Sequence, residues 1–286
     1  MPYAQLRGIA INYEVVGTEG PWVALSTGGR NPYGEFVSLT RKIARQGFRV
    51  VLHDRRNCGA SDIALDDAMS EDAHRVEDWH ALLTHLGATP AFVGGSSSGC
   101  RMSLLYSLSR PELVRGLLLM RVTGGPFPAQ RLPENYYGQF IRAAQEGGMA
   151  AVCAMDHWKA CIAANPKSGK ALQAMPAARF IAVMSRWRDE FMEGVNLPVV
   201  GVSKQELASI SVPSIIIPGN DMIHSVASGR LAHSLIPGSR LHELPIADTG
   251  AELVPFTEWA PQEDEMARVF VGFMRDVMAV EPASRA

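Results

Sequence analysis

From Ile9 to Val16 the chain reads IAINYEVV, apolar and polar residues alternating with the period of two that a half-buried strand requires. GTEGP follows as a turn, and WVALS (22–26) is a short apolar run of the kind a buried strand carries. After the glycine-rich TGGRNPYG, the segment FVSLTRKIARQG places Phe36, Leu39 and Ile43 on one helical face, with Gly47 as its stop. FRVVLH (48–53) is the next strand, HDRRNCGASD a polar loop, and SEDAHRVEDWHALLTHLG (70–87) a helix presenting Ala73, Val76, Leu83 and Leu86. The strand AFVGG (91–95) runs into three serines; CRMSLLYSLS is helical up to Pro111, and VRGLLLM (114–120) is a strand again. Strands separated by helices pair in parallel through right-handed crossovers, so the pattern predicts an α/β chain.

The rhythm breaks at TGGPFP (123–128). Between residues 126 and 210 the sequence is rich in Ala and Met with helical spacing, as in Ile181, Met184, Trp187 and Phe191, and no strand pattern intervenes. Alternation then resumes with PSIIIPGND (213–221), a helix near 225–235, the strand RLHEL (240–244) and a helix near 258–279. Residues 1–125 and 211–286 therefore read as one α/β core and 126–210 as a helical insertion, with the terminal VEPASRA a frayed tail.

Composition narrows the function classes. The chain has 286 residues, 47% hydrophobic and 20% charged, as soluble globular proteins do, and a net charge of -2 leaves no basic footprint for nucleic acid. Its start lacks a signal-peptide pattern and no apolar run approaches the ~18 residues of a spanning helix, so a cytoplasmic protein with no membrane partner is expected. Cys58, Cys100, Cys153 and Cys161 form no C-x-x-C pair and have no histidine at metal-ligand spacing, so neither structural zinc nor another cofactor is expected. Dimerisation with a second copy is left open, since no sequence feature decides it.

The segment FVGGSSSGCR (92–101) carries the most chemistry. A strand, a sharp glycine-flanked turn and a helix present a serine hydroxyl in an exposed, strained position, and the helix N-terminus favours developing negative charge. Two registers fit: Gly95-Ser-Ser-Ser-Gly99, centred on Ser97, and a looser one centred on Ser96. A helix cap built from the same serines is the plainer alternative. The strand-turn-helix context here resembles the α/β-hydrolase superfamily. So does LSTGGRNPYGEF, which stands where that superfamily has its oxyanion loop. HDRRNCGASD resembles the superfamily's D-x-R-G-x-G-x-S-D loop, and IPGNDMIHS the segment that carries the acid.

The resemblance implies the α/β-hydrolase fold, a mostly parallel eight-stranded sheet flanked by helices with a helical cap over the pocket. Counting back from Pro111 along the helix places the nucleophile at Ser97. The oxyanion hole would then use the amide of Ser98 and that of Gly29, with Gly28 close behind, and Asp221 would be the acid. The superfamily's histidine follows the last strand, but PIADTGAELVPFTEW (245–259) has none, and Asp248 and Thr249 cannot replace an imidazole of pKa near 6.5. His242 comes too early and reads as a strand histidine, as does His53 at its own strand end. His224, in the acid loop itself, is the better candidate for the base.

Arg30, Arg55, Arg56 and Arg121 fall at strand ends or in the loops that follow, and Arg30 and Arg121 are candidates to hold a substrate carboxylate. Tyr136, Tyr137, Trp158, Trp187 and Phe191 are candidates to line an apolar pocket, with Tyr137, Trp158 and Trp187 foremost. The expected function is a cofactor-free hydrolase of an ester, thioester or lactone of a small to medium apolar small molecule. A carbon-carbon bond hydrolase or lyase, and a non-catalytic ligand binder with an incomplete triad, are the competing readings.

Overall fold

A computed structural model of the chain describes residues 2–280, so all of VEPASRA but Val280 lies outside the described residues. The strands among these are β1 (Tyr3–Leu6), β2 (Ile9–Val16), β3 (Trp22–Ser26), β4 (Arg49–His53), β5 (Ala91–Ser96), β6 (Val114–Met120), β7 (Ser214–Ile217) and β8 (Arg240–Leu241). They form one eight-stranded sheet in the order β1-β2-β4-β3-β5-β6-β7-β8. Only the β1–β2 and β2–β4 pairs are antiparallel. The expected mostly parallel sheet is thus present. Sequence reading missed β1, whose four residues are too few to display a period although Ala4 and Leu6 do alternate inward. It also overran β8, which stops at Leu241 on the sheet edge.

The helices are α1 (Val37–Ala44), α2 (Glu71–His85), α3 (Ser98–Ser109), α4 (Pro126–Pro133), α5 (Gln139–Ala154), α6 (Asp156–Ala164), α7 (Pro166–Ala174), α8 (Ala177–Gly194), α9 (Lys204–Ser209), α10 (Val226–Leu235) and α11 (Glu263–Val280). Successive strand residues point to opposite faces, and each face has its own core. Val93, Leu117, Leu119 and Ile216 pack with α2 and α3 residues such as Trp79 and Leu104. Phe92, Leu118, Met120 and Ile217 pack with Leu39 of α1 and Phe270 of α11 on the other side. Between β6 and β7, α4 to α8 close a third cluster of their own around Phe140, Trp158, Phe180 and Trp187.

Register fixes where loops emerge. Ser26 pairs with Gly95, Ser96 with Met120, and Met120 with Ile217, so four parallel strands end side by side. The loops that follow them, beginning at Thr27, Ser97, Arg121 and Pro218, therefore meet at one edge, beyond the carboxyl ends of the strands where α/β sheets collect ligands.

Candidate active site

Ser97 links β5 directly to α3, with φ 56° and ψ −116°. A positive φ is uncommon for a residue with a Cβ and costs on the order of 1–3 kcal/mol, held here by the packing on either side. Gly99 makes that packing close: a Cβ on it would stand 2.1 Å from the carbonyl oxygen of Ser26 and 2.7 Å from that of Thr27. The Ser97 amide donates to Met120 O at 3.2 Å, and the Ser97 hydroxyl lies 3.2 Å from Thr123 Oγ1.

The loop after β3 is held as a turn. Asn31 N donates to Gly28 O at 3.2 Å, and the Thr27 hydroxyl donates to Asn31 O at 2.9 Å. Arg55, buried at the start of the loop after β4, donates through Nη2 to the carbonyls of Gly28 (3.1 Å) and Gly29 (2.7 Å) and through Nη1 to Ser98 Oγ (2.8 Å). One guanidinium thus fixes both glycine peptides relative to the start of α3. Gly28 lies so close to Ser97 that a Cβ there would touch the Ser97 Cβ at 3.0 Å.

After β7 the chain turns sharply. A Cβ on Gly219 would lie 2.2 Å from His224 O, so glycine is needed for the loop to fold back on itself. His224 N donates to Asp221 Oδ1 at 2.7 Å, and His224 Nδ1 lies 2.9 Å and 3.1 Å from the two carboxylate oxygens. Val254 N donates to Asp221 Oδ2 at 3.0 Å, and Arg121 Nη2 donates to the same oxygen at 2.7 Å. Burial pushes the Asp221 carboxyl up, but the hydrogen bond and charge of His224, the Val254 amide and the Arg121 cation hold it well below the usual carboxylate range. Burial pushes the His224 imidazole down; the bond to Asp221 opposes this, Arg121 adds to it, and the net shift is downward. His224 Nε2 is buried and has no hydrogen-bond partner.

Ser97, His224, Gly28, Gly29 and Arg121 line one cavity of about 150 Å³, closed by Leu132, Tyr136, Ile223 and the 252–256 segment. Glu35 and Asn31, neither singled out in the sequence, also face it, with Asn31 Nδ2 donating to Glu35 at 3.1 Å. Burial raises the Glu35 carboxyl, partly offset by Asn31, Arg121, Arg55 and the Gly28 amide. Larger clefts lie elsewhere, but those of about 740, 600 and 530 Å³ are lined by neither Ser97 nor His224.

Most of the other expected residues stand apart from this cavity. Arg30 pairs with buried Glu71 at 2.5 and 3.0 Å, and the Tyr137 hydroxyl donates to the same carboxylate at 2.8 Å. Trp158 packs between Phe140 and Phe180, and Trp187 donates to Met69 O at 3.0 Å, both within the core of the helical segment. Arg121 is at the cavity, but its cation is committed to Asp221. Arg56 is bound by Asp78. His242 faces Glu265 at 3.1 Å on the outer edge. His53 stacks on Trp79 and is pushed down to about 3 by burial and Arg55. Asp248 and Thr249 are exposed, the Thr249 hydroxyl capping Asn220 O. No group of metal-binding side chains occurs among the described residues, and none of their helices is long and apolar enough to cross a membrane.

Known proteins share this architecture. A family model described as alpha/beta hydrolase fold matches residues 24–159. The sn-1-specific diacylglycerol lipase ABHD11 of Mus musculus is 30% identical over 146 residues, 49% of this chain and 44% of the lipase, so the match spans less than half of that relative's length. A proline iminopeptidase of Saccharolobus solfataricus is 23% identical over 84% of this chain and 83% of its own. Among solved structures, the enol-lactonase from Burkholderia xenovorans LB400 superposes with a TM-score of 0.64 at 17% identity, covering 96% of this chain and 100% of that one, a likeness of fold. With the sheet order and the loops gathered at its carboxyl edge, these matches show that the chain has the α/β-hydrolase fold, with residues 24–159 matching the model of that family.

Proposed function

We propose that the protein is a cofactor-free serine hydrolase of a small ester, thioester or lactone, with Ser97 as nucleophile, His224 as base and Asp221 as the group that orients it. The observation that carries this reading is the unpartnered, buried Nε2 of His224 on the wall of a cavity that Ser97 also lines, while Nδ1 is held by Asp221. An imidazole oriented through one nitrogen and free at the other is what a serine hydroxyl needs to lose its proton.

In the proposed reaction the Ser97 hydroxyl swings from Thr123 toward His224, the Ser97 oxygen bonds to the substrate carbonyl carbon, and its proton passes to Nε2. The amides of Ser98 and of Gly29 or Gly28 would receive the oxyanion, and Arg55, through the Gly28 carbonyl, holds the peptide that carries the Gly29 amide. The carbon–oxygen or carbon–sulfur bond then breaks as His224 protonates the leaving group. Water, deprotonated by His224, hydrolyses the acyl-enzyme and returns the proton to Ser97. A cavity of about 150 Å³ suits a short acyl group, and the helices α4 to α8 would serve as its cap. The lipase, iminopeptidase and lactonase relatives favour acyl chemistry without selecting among its substrates.

A fluorophosphonate probe tests the proposal. Wild type labels on Ser97, labelling is abolished in Ser97→Ala, and His224→Ala slows it by orders of magnitude, up to the roughly 10^6-fold that loss of a triad histidine costs turnover. The Ser97–Thr123 contact favours a second reading, a ligand binder whose serine never engages the imidazole. Wild type that does not label supports that one.

A further inference from the structure

Arg121 contributes more to the site than an ion pair. It is the first residue after β6, with a left-handed φ of 50°, and its side chain is 3% exposed. Its Nη2 donates to Asp221 Oδ2 at 2.7 Å and to Val254 O at 2.5 Å, and stands 3.2 Å from His224 Nδ1. The guanidinium carbon lies over the Trp259 ring, 5.2 Å from its centre.

Two facts follow from these distances. With Asp221 ionised, an unprotonated Nδ1 would set its lone pair against carboxylate oxygens at 2.9 and 3.1 Å, so Nδ1 carries the hydrogen and Nε2 the lone pair. Arg121 Nη2, itself only a donor, then meets Nδ1–H as donor against donor, a contact that worsens when the ring gains a second proton. Asp221 attracts the imidazolium and Arg121 repels it. The remaining charged groups around the pair do not change the balance: Glu35 faces the cavity from the loop after β3, and Glu252 is spent on Arg131 at 2.6 Å.

We propose that Arg121 is a positioning residue for His224, sharing the Asp221 carboxylate with the imidazole and thereby keeping the ring neutral and the Nε2 lone pair free. The downward shift of His224 agrees with this. Such a site trades some basicity for a base that stays unprotonated in more acidic solution. The inference rests on the serine-hydrolase reading for its catalytic meaning, but the state of the ring can be measured without turnover.

The experiment is the pH dependence of fluorophosphonate labelling of Ser97 in wild type, Arg121→Met and Arg121→Lys, with the His224 ring followed by NMR titration and assigned through its loss in His224→Gln. Wild type is expected to lose labelling only below pH 6.5. Arg121→Met moves that acidic limb upward by about one to two pH units, and Arg121→Lys, which restores charge without the fork, returns it toward wild type. A limb that stays put while Arg121→Met labels slowly at every pH marks a merely structural residue and overturns the proposal. If Arg121→Met does not fold, Arg121→Gln is titrated in its place: a His224 midpoint that moves upward from wild type supports the proposal, and one that stays put, or a wild-type midpoint at or above 6.5, overturns it. Absence of labelling at any pH rejects the hydrolase reading while the titration still judges Arg121.

Discussion

Glu71→Gln is the substitution whose cost can be worked out most directly. Glu71 opens α2 just after its N-cap, Ser70, and its carboxylate is 2% exposed. It receives Arg30 at 2.5 and 3.0 Å, Arg75 at 2.8 Å and the Tyr137 hydroxyl at 2.8 Å. Burial pushes this carboxyl up, and the two arginines with the Arg30 and Tyr137 hydrogen bonds more than reverse that, taking it from 4.5 to about 2. At 1.36 kcal/mol per pH unit the difference is worth about 3 kcal/mol at neutral pH. That agrees with the about 3–5 kcal/mol lost when one member of a buried ion pair is removed and the other charge stays behind. Because the folded pKa is the lower one, the stabilisation is complete above about 4.5 and is lost as pH falls toward 2. Urea denaturation of wild type and Glu71→Gln at a series of pH values is the assay. The expected gap is about 3 kcal/mol at pH 7, about 6 °C or more in Tm, narrowing steadily below pH 5. A gap under 1 kcal/mol at pH 7, or one that stays constant down to pH 3, refutes the reasoning.

Three further outcomes follow from the site. Gly99→Ala forces a methyl against the Ser26 carbonyl, a backbone atom that cannot swing aside, so a loss of about 3 kcal/mol or more in denaturation is expected, together with slower labelling of Ser97. Arg55→Met frees the carbonyls of Gly28 and Gly29, and probe labelling should fall on the order of 100-fold while the far-UV spectrum is kept, since a misplacement of about 1 Å near reacting atoms costs that much. His242→Ala, which removes only an edge contact to Glu265, should leave the labelling rate within about twofold of wild type and stability within about 0.5 kcal/mol.

What the chain disclosed in advance follows from how each signal is written. Alternation over eight residues announces β2, and glycines at both ends of three serines announce the turn at Ser97; both signals are local. β1 stayed hidden because four residues cannot establish a period, and β8 was overdrawn because a second leucine, Leu244, follows three residues after Leu241, where the strand ends. Pocket residues were the least legible. Trp158 and Trp187 have helical spacing, which shows that a face is buried without showing against what. Arg30 and Tyr137 both turn to Glu71, a partner 41 residues from one and 66 from the other, and such a pairing has no sequence period. Glu35 and Thr123 lay inside the quoted segments LSTGGRNPYGEF and TGGPFP, but nothing in either pattern singled them out. His224 was reachable only because Asp221 lies three residues before it, close enough to imply contact.

Asp221 and His224 share one turn of chain. The distance between them is set by three peptide units and a glycine fold, so it does not depend on how two separate loops happen to dock. The segment after β8 becomes a clasp: Ala251 and Glu252 accept hydrogen bonds from the amides of Met222 and Ile223, and Val254 N donates to Asp221. In the proposed reading IADTG (246–250) therefore supplies no reacting group: its Thr249 hydroxyl and Ala247 carbonyl meet Asn220, and sequence change there has only to keep the backbone path that lets the next residues clasp the acid loop.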